Sequence, residues 1–197
     1  IDGYRFYRTR QGTGLVGRIT GLDQVAVIED TRRRLDEILP LERPDIIHAH
    51  SPCLNGIAAL RSKRPADCPV VYEMRASWED AAVDHGTTTE GSARYRLSRA
   101  LETWTMTRAT RVTTICEGLR NDILSRGIPS DKVAVIPNAV DIDAFPLIES
   151  CDMELRRALG LEGAFTLGFI GSFYGYEGLD ILLDALPDIL HFAPEAR

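Results

Sequence analysis

The chain has 197 residues, 44% of them apolar and 26% charged, and its 23 Lys and Arg against 29 Asp and Glu give a net charge of -6. That composition excludes a disordered chain, a collagen and a disulfide miniprotein. The acidic balance argues against a general nucleic-acid binder, because phosphate backbones attract basic surfaces. No apolar run approaches the ~20 residues of a membrane helix. The four cysteines, Cys53, Cys68, Cys116 and Cys151, form no CxxC pair and read as reduced thiols of a cytosolic protein.

In chain order, Tyr4 to Thr9 is aromatic-rich and reads as a short strand, and Gly12, Gly14, Gly17 and Gly21 make Gln11 to Gly21 a loop. From Asp23 to Leu39, Val25, Ile28, Leu35, Ile38 and Leu39 recur at helical spacing, with Asp23 to cap the helix and Pro40 to end it. An alternation then begins. Asp45 to His50 is a short apolar strand, Leu54 to Lys63 a helix, and Pro69 to Met74 a second strand. After a polar stretch from Arg75 to Thr89, a capping box of Thr87 with Glu90 opens a helix to about Arg108, with Tyr95, Leu97, Leu101 and Trp104 on its apolar face. Arg111 to Ile115 is a third strand. A second capping box, Thr114 with Glu117, opens a helix that Gly127 stops, and Lys132 to Ile136 is a fourth strand.

Short apolar strands alternating with amphipathic helices predict an α/β fold, a doubly wound, Rossmann-like parallel sheet whose strands are buried on both faces. Asp141 to Ser150 has no period and contains Pro146, so it reads as a linker. A helix around Asp152 to Leu159, a strand from Phe165 to Ile170 and a helix with Leu179, Leu182, Leu183, Leu186 and Leu190 on one stripe then open a second α/β unit. A lone strand and helix cannot bury both their faces, so the natural protein is expected to continue past this sequence. The expected division is 1–146 and 147–197.

Val133 to Phe145 read V-A-V-I-P-N-A-V-D-I-D-A-F, which resembles the V-I-P-N-G-V-D-x-x-x-F signature of the retaining family 4 glycosyltransferases. Arg43 to His50, R-P-D-I-I-H-A-H, resembles that family's R-P-D strand, and Arg108 to Glu117 resembles its R-A-D-x-V-x-x-V-S-E segment. Phe169 to Ser172 with Glu177 to Asp180 resembles the start of its C-terminal domain. Tyr72 to Asp80 with Asp84 to Glu90 resembles glycosyltransferases of bacterial exosortase and exopolysaccharide gene clusters. The resemblance implies a GT-B fold, with 1–146 an acceptor-binding domain that lacks its first strands and 147–197 the truncated start of a donor-binding domain. It implies transfer of a sugar from a nucleotide-diphosphate sugar to a glycan or lipid-linked acceptor in polysaccharide biosynthesis. The donor is a substrate and no cofactor is implied. The family carries its E-x7-E motif in the part of the C-terminal domain that the resemblance does not reach, so the catalytic residues are not assigned and this piece is expected to be inactive alone. A cytoplasmic location is implied. Contact with the inner face of the membrane, and a homodimer through the C-terminal segment, are both compatible with the sequence.

Individual residues carry competing readings. His48 and His50 share one face of their strand, and His50 lies at its carboxyl end, where ligands of open α/β sheets bind. With Cys53 they spell H-x-H-x-x-C, a zinc-like spacing without a fourth ligand, and the family's chemistry requires no metal, so none is expected. Arg75 follows the next strand, where many family members have His; as a permanent cation with a donor fork it suits phosphate or carboxylate, or else it braces its loop through Glu79 or Asp80. Trp78, Glu79, Asp80 and His85 complete the expected acceptor side, against the alternative of a solvated loop. Gly171 and Ser172 open a glycine-punctuated turn into a helix, suited to a diphosphate, although Ser172 and Glu177 replace the Arg and Lys common there. Asn138 and Asp141 are expected hinge residues, with Ala139 in place of the family's Gly implying a different turn. Cys116 reads as a buried structural thiol. The rival readings are a sugar-nucleotide epimerase on the same scaffold and a non-catalytic α/β binding module; paired carboxylates make glycoside hydrolysis a weak third.

Overall fold

The computed structural model describes residues 3, 5–9, 22–145, 147–148 and 150–197. The chain divides into two compact units, Ile1–Asn138 and Ala139–Arg197. The whole of the expected glycine-rich loop, Gln11 to Gly21, and Pro146 of the expected linker lie outside the described residues.

The first unit is a four-stranded parallel sheet in the order β1 (Ile47–His50), β2 (Val70–Met74), β3 (Arg111–Thr114), β4 (Val133–Val135). Parallel neighbours require crossovers, and these are α2 (Cys53–Arg61), α3 (Trp78–Asp84) with α4 (Ala93–Arg108), and α5 (Glu117–Ser125). Val70, Tyr72 and Met74 point to one face and pack with Ala59, Met106, Val112, Ile123 and Val133 into the main core. The leading helix α1 (Leu22–Glu42) does not touch that core centrally. It lays Ile28 and Leu35 against Cys53, Ile57 and Ala58 of α2. Gly56 lets α2 approach the sheet closely, since a Cβ there would stand 2.4 Å from Thr105 Cγ2 and 2.9 Å from the Tyr72 ring.

Local differences from the sequence reading have identifiable causes. Residues 5–9 form no strand; Arg5 pairs with Glu42 at 2.8 Å and Tyr7 Oη also bonds Glu42, so this segment is held to the end of α1 by polar contacts. Pro40 falls inside the last turn of α1 instead of ending it. The polar stretch after β2 contains the short helix α3, and α4 starts later than predicted because Ser92, whose Oγ accepts from Tyr95 N at 3.1 Å, is the cap rather than Thr87. Thr114 does not cap α5 either; its hydroxyl donates across the sheet to Met74 O at 2.8 Å, and Cys116 is the uncapped start. Gly127, at φ +84°, does stop α5. The sheet faces are unequal. The strands were expected to be buried on both sides, but β2 alternates buried with half-buried residues, and His48 and His50 on β1 are exposed.

In the second unit, α6 (Met153–Ala158) falls within the expected helix and is capped by Asp152, whose Oδ1 accepts from Leu155 N at 2.8 Å. The expected strand Phe165–Ile170 is reduced to one parallel bridge, Phe165 with Ala196. Between them runs α7 (Leu179–Phe192), whose leucine stripe leaves Leu182, Leu183 and Leu190 exposed. Among the described residues no helix is long and apolar enough to cross a membrane.

Candidate active-site edge of the sheet

All four strands run in parallel, so their carboxyl ends share one edge, and the residues that follow them converge there. His50 ends β1. Arg75 follows β2, and its backbone N–H donates to Ser51 Oγ at 3.2 Å, which joins the two strand ends. Asn138 follows β4, and its Oδ1 accepts from the Arg75 guanidinium at 3.1 Å. Cys116 follows β3 and is exposed, which corrects its reading as a buried thiol: it sits at the start of α5 outside the sheet.

Glu73 organises this edge and was not singled out from the sequence. It is the register partner of His50 across the β1–β2 pair. Its Oε2 lies 3.1 Å from His48 Nε2 and 3.0 Å from His50 Nδ1, and its Oε1 lies 3.9 Å from Arg75 Nε. The two imidazole rings stand 4.4 Å apart. Asn55 fixes the turn beneath them by donating to His50 O at 3.0 Å. Arg75 is therefore not braced by Glu79 or Asp80. Its partners are Glu73 and Asn138, both at the strand ends, and its half-exposed guanidinium keeps donors for a ligand. The signal for Glu73 was a lone carboxylate in an apolar strand, with the same parity as the histidines of the strand beside it.

The remaining acceptor candidates separate into two environments. Trp78 and Asp80 are exposed on α3, and His85 caps its end through its backbone N–H. Asp80 Oδ1 accepts from Tyr95 Oη at 2.7 Å, a bond that pushes the Tyr95 phenol up to about 12. Glu79 is different. It is 1% exposed, and its Oε1 lies 2.6 Å from Arg126 Nη2 and 3.6 Å from Arg99 Nη1. Glu79 thus anchors α3 to Arg126, just past the end of α5, and does not face a ligand, because the first turn of α3 turns that side chain inward.

Cys53 is likewise internal. Its backbone N–H donates to the buried Glu102 carboxylate at 3.2 Å, and burial pushes its thiol up to about 12. Glu102 also accepts from Tyr72 Oη, and burial raises its own pKa. The H-x-H-x-x-C spacing therefore does not bring Cys53 to the histidines. In the second unit, Gly171 and Ser172 are exposed and precede a 3-10 turn, Gly175–Glu177; α7 starts only after Gly178, at φ +68°, so neither residue lies at its N-terminus. Asp141 Oδ1 accepts from Asp143 N at 3.0 Å, a local turn. Ala139 is not among the positive-φ residues, so the turn differs from one built on Gly. A groove lined by Leu39, Arg43, Asp45, Lys63 and Cys68 opens at the amino-terminal edge instead. Ligands of such sheets bind outside the carboxyl ends, and the groove gathers none of the residues described above.

The parallel sheet and the convergence of His50, Arg75 and Asn138 on one edge define a Rossmann-like α/β domain with its candidate site at the carboxyl ends of the strands. The chain belongs to the glycosyl transferase 4-like domain family, whose model matches residues 2–139. No curated protein sequence matches it. Among solved structures it is similar to Anabaena Alr3699/HepE in complex with UDP and glucose, at 19% identity and a TM-score of 0.59, covering 95% of this chain and 44% of that one. It is equally similar to Alr3699/HepE in complex with UDP-glucose, at 19% identity and a TM-score of 0.61, covering 93% and 43%. The chain thus spans less than half the length of the solved structures it resembles.

Proposed function

We propose that this chain supplies the acceptor side of a retaining glycosyltransferase. The enzyme would move a sugar from a nucleotide-diphosphate sugar to a glycan or lipid-linked acceptor in bacterial polysaccharide biosynthesis, on the cytoplasmic side of the membrane. The family match over the first unit supports the reaction class. The observation that carries the site is Arg75, held at the strand edge between Glu73 and Asn138 with donors left over. A guanidinium so placed can bind a phosphate or carboxylate oxygen of the acceptor, and as a permanent cation it cannot act as a general base. His50 offers an imidazole to a hydroxyl beside it. Trp78, with its ring half in solvent, offers a face for a sugar ring or a lipid chain.

The donor is proposed to be a nucleotide diphosphate sugar, in line with the UDP-glucose bound by the structurally similar HepE. Gly171 and Ser172 remain the proposed neighbours of its diphosphate, by backbone N–H rather than by helix dipole. Asn138 and Asp141 are proposed as the hinge, because the division between the two units falls directly after Asn138. The test is to incubate the full-length protein with nucleotide sugars and follow the anomeric protons by NMR. Acceptor-dependent release of nucleoside diphosphate with an unchanged anomeric configuration supports the reading. Inversion at C2 of the sugar without transfer would assign the protein to the epimerases instead.

A further inference from the structure

We propose that His48, His50 and Glu73 form a binding site for a single Zn2+ ion on the β1–β2 surface, independent of any role they have toward the acceptor. Three donor atoms of the type zinc prefers, two imidazole nitrogens and one carboxylate oxygen, lie within 4.8 Å of one another. They come from two hydrogen-bonded strands in fixed register, His50 directly opposite Glu73, so the set is positioned by backbone pairing and not by loops. In a tetrahedral zinc site, ligand atoms about 2.0–2.1 Å from the metal stand roughly 3.3–3.4 Å from each other. The two nitrogens here are 3.1 and 3.0 Å from Glu73 Oε2, a few tenths of an ångström short of that spacing.

The surroundings fit a metal-bound carboxylate. Glu73 turns one oxygen to the imidazoles and the other toward Arg75, the pattern in which an outer partner orients a ligating group. Beside it on β3, in register, Thr113 is 9% exposed and its hydroxyl has no hydrogen-bond partner among the described residues. That hydroxyl is available as a second outer partner to the carboxylate. Both histidines are half-exposed, which leaves the fourth coordination position open to water or to an anionic oxygen. Zinc is favoured over magnesium or calcium, since those hard cations choose oxygen-only sets.

The experiment is a competition titration of the chelator-treated full-length protein with ZnCl2 against a chromophoric zinc indicator. One ion per chain is expected. His48→Ala and Glu73→Gln should each weaken binding at least about tenfold, by comparison with the 10–100-fold that loss of an outer partner alone costs. A second measurement needs no variant: Co2+ should give the visible absorption of a four-coordinate site and shift the ring protons of His48 and His50 in NMR. Absence of stoichiometric zinc binding overturns the proposal. So does zinc binding that both variants retain, which would place the ion on other groups such as the exposed thiols of Cys116 and Cys151. Co2+ that leaves the two rings unshifted also overturns it.

Discussion

Arg126→Met tests the claim that Glu79 is an internal anchor. Both side chains are shut off from water, at 1% and 0% exposure, with 2.6 Å between Nη2 and Oε1. Among the described residues neither Glu79 oxygen has an aligned hydrogen-bond donor, so the pair is an ion pair of imperfect geometry. Such a pair adds little over apolar packing, yet removing one member strands the other, at a cost of about 3–5 kcal/mol. Arg99 at 3.6 Å remains as a weaker partner, which places the expected loss near the lower end, ~3 kcal/mol. With urea m-values of about 1–3 kcal/mol/M, the midpoint for the full-length protein should fall by roughly 1–3 M. The double variant Glu79→Leu/Arg126→Met should recover most of that loss. An unchanged midpoint in Arg126→Met, together with a raised KM for the acceptor, would refute the anchor and return Glu79 to the binding surface.

Gly56→Ala should destabilise by about 1–3 kcal/mol, because its Cβ would meet Thr105 and the Tyr72 ring; chemical denaturation measures it, and a neutral result means α2 can shift outward. The buried Glu102 binds its proton more tightly folded than unfolded. Its stabilising contribution is therefore full below the unfolded pKa and is lost as pH rises through the raised folded pKa. The unfolding midpoint of Glu102→Gln should gain on that of the natural sequence as pH rises from about 4.5, and a pH-independent difference would contradict this. Iodoacetamide at pH 8 should modify the exposed Cys116 and Cys151 rapidly and leave Cys53 and Cys68 intact, as read by mass spectrometry; fast labelling of Cys53 would contradict its burial.

Much of the fold was legible because the strand–helix alternation from Asp45 to Ile136 is set by short apolar runs and turn residues. Strand positions and Gly127 as a stop follow from local chemistry. The caps were less legible: Thr87, Ser92 and Thr114 are all competent, and tertiary contacts decide among them, as when Thr114 spends its hydroxyl on Met74 O. The strand edge was legible in His50 and Arg75, since parallel strands place their carboxyl ends together. Glu73 was missed because its importance depends on register with β1, a long-range property. Glu79 was misjudged for a related reason, since its partner Arg126 is distant in sequence and only the tertiary fold brings the residue after α5 to the start of α3.

The central claim is that the edge between His50 and Asn138 receives the acceptor, and steady-state kinetics of full-length Arg75→Ala and Arg75→Lys test it most directly. If Arg75 holds an anionic group of the acceptor, its loss should cost ~1.5–3 kcal/mol, about 10- to 150-fold in kcat/KM for the acceptor. Lysine should restore only part, because a point charge does not replace a planar fork. The melting temperature and the KM for the nucleotide sugar should stay close to those of the natural sequence. A lowered melting temperature with unchanged acceptor kinetics would contradict the account and make Arg75 a brace between β2 and Asn138.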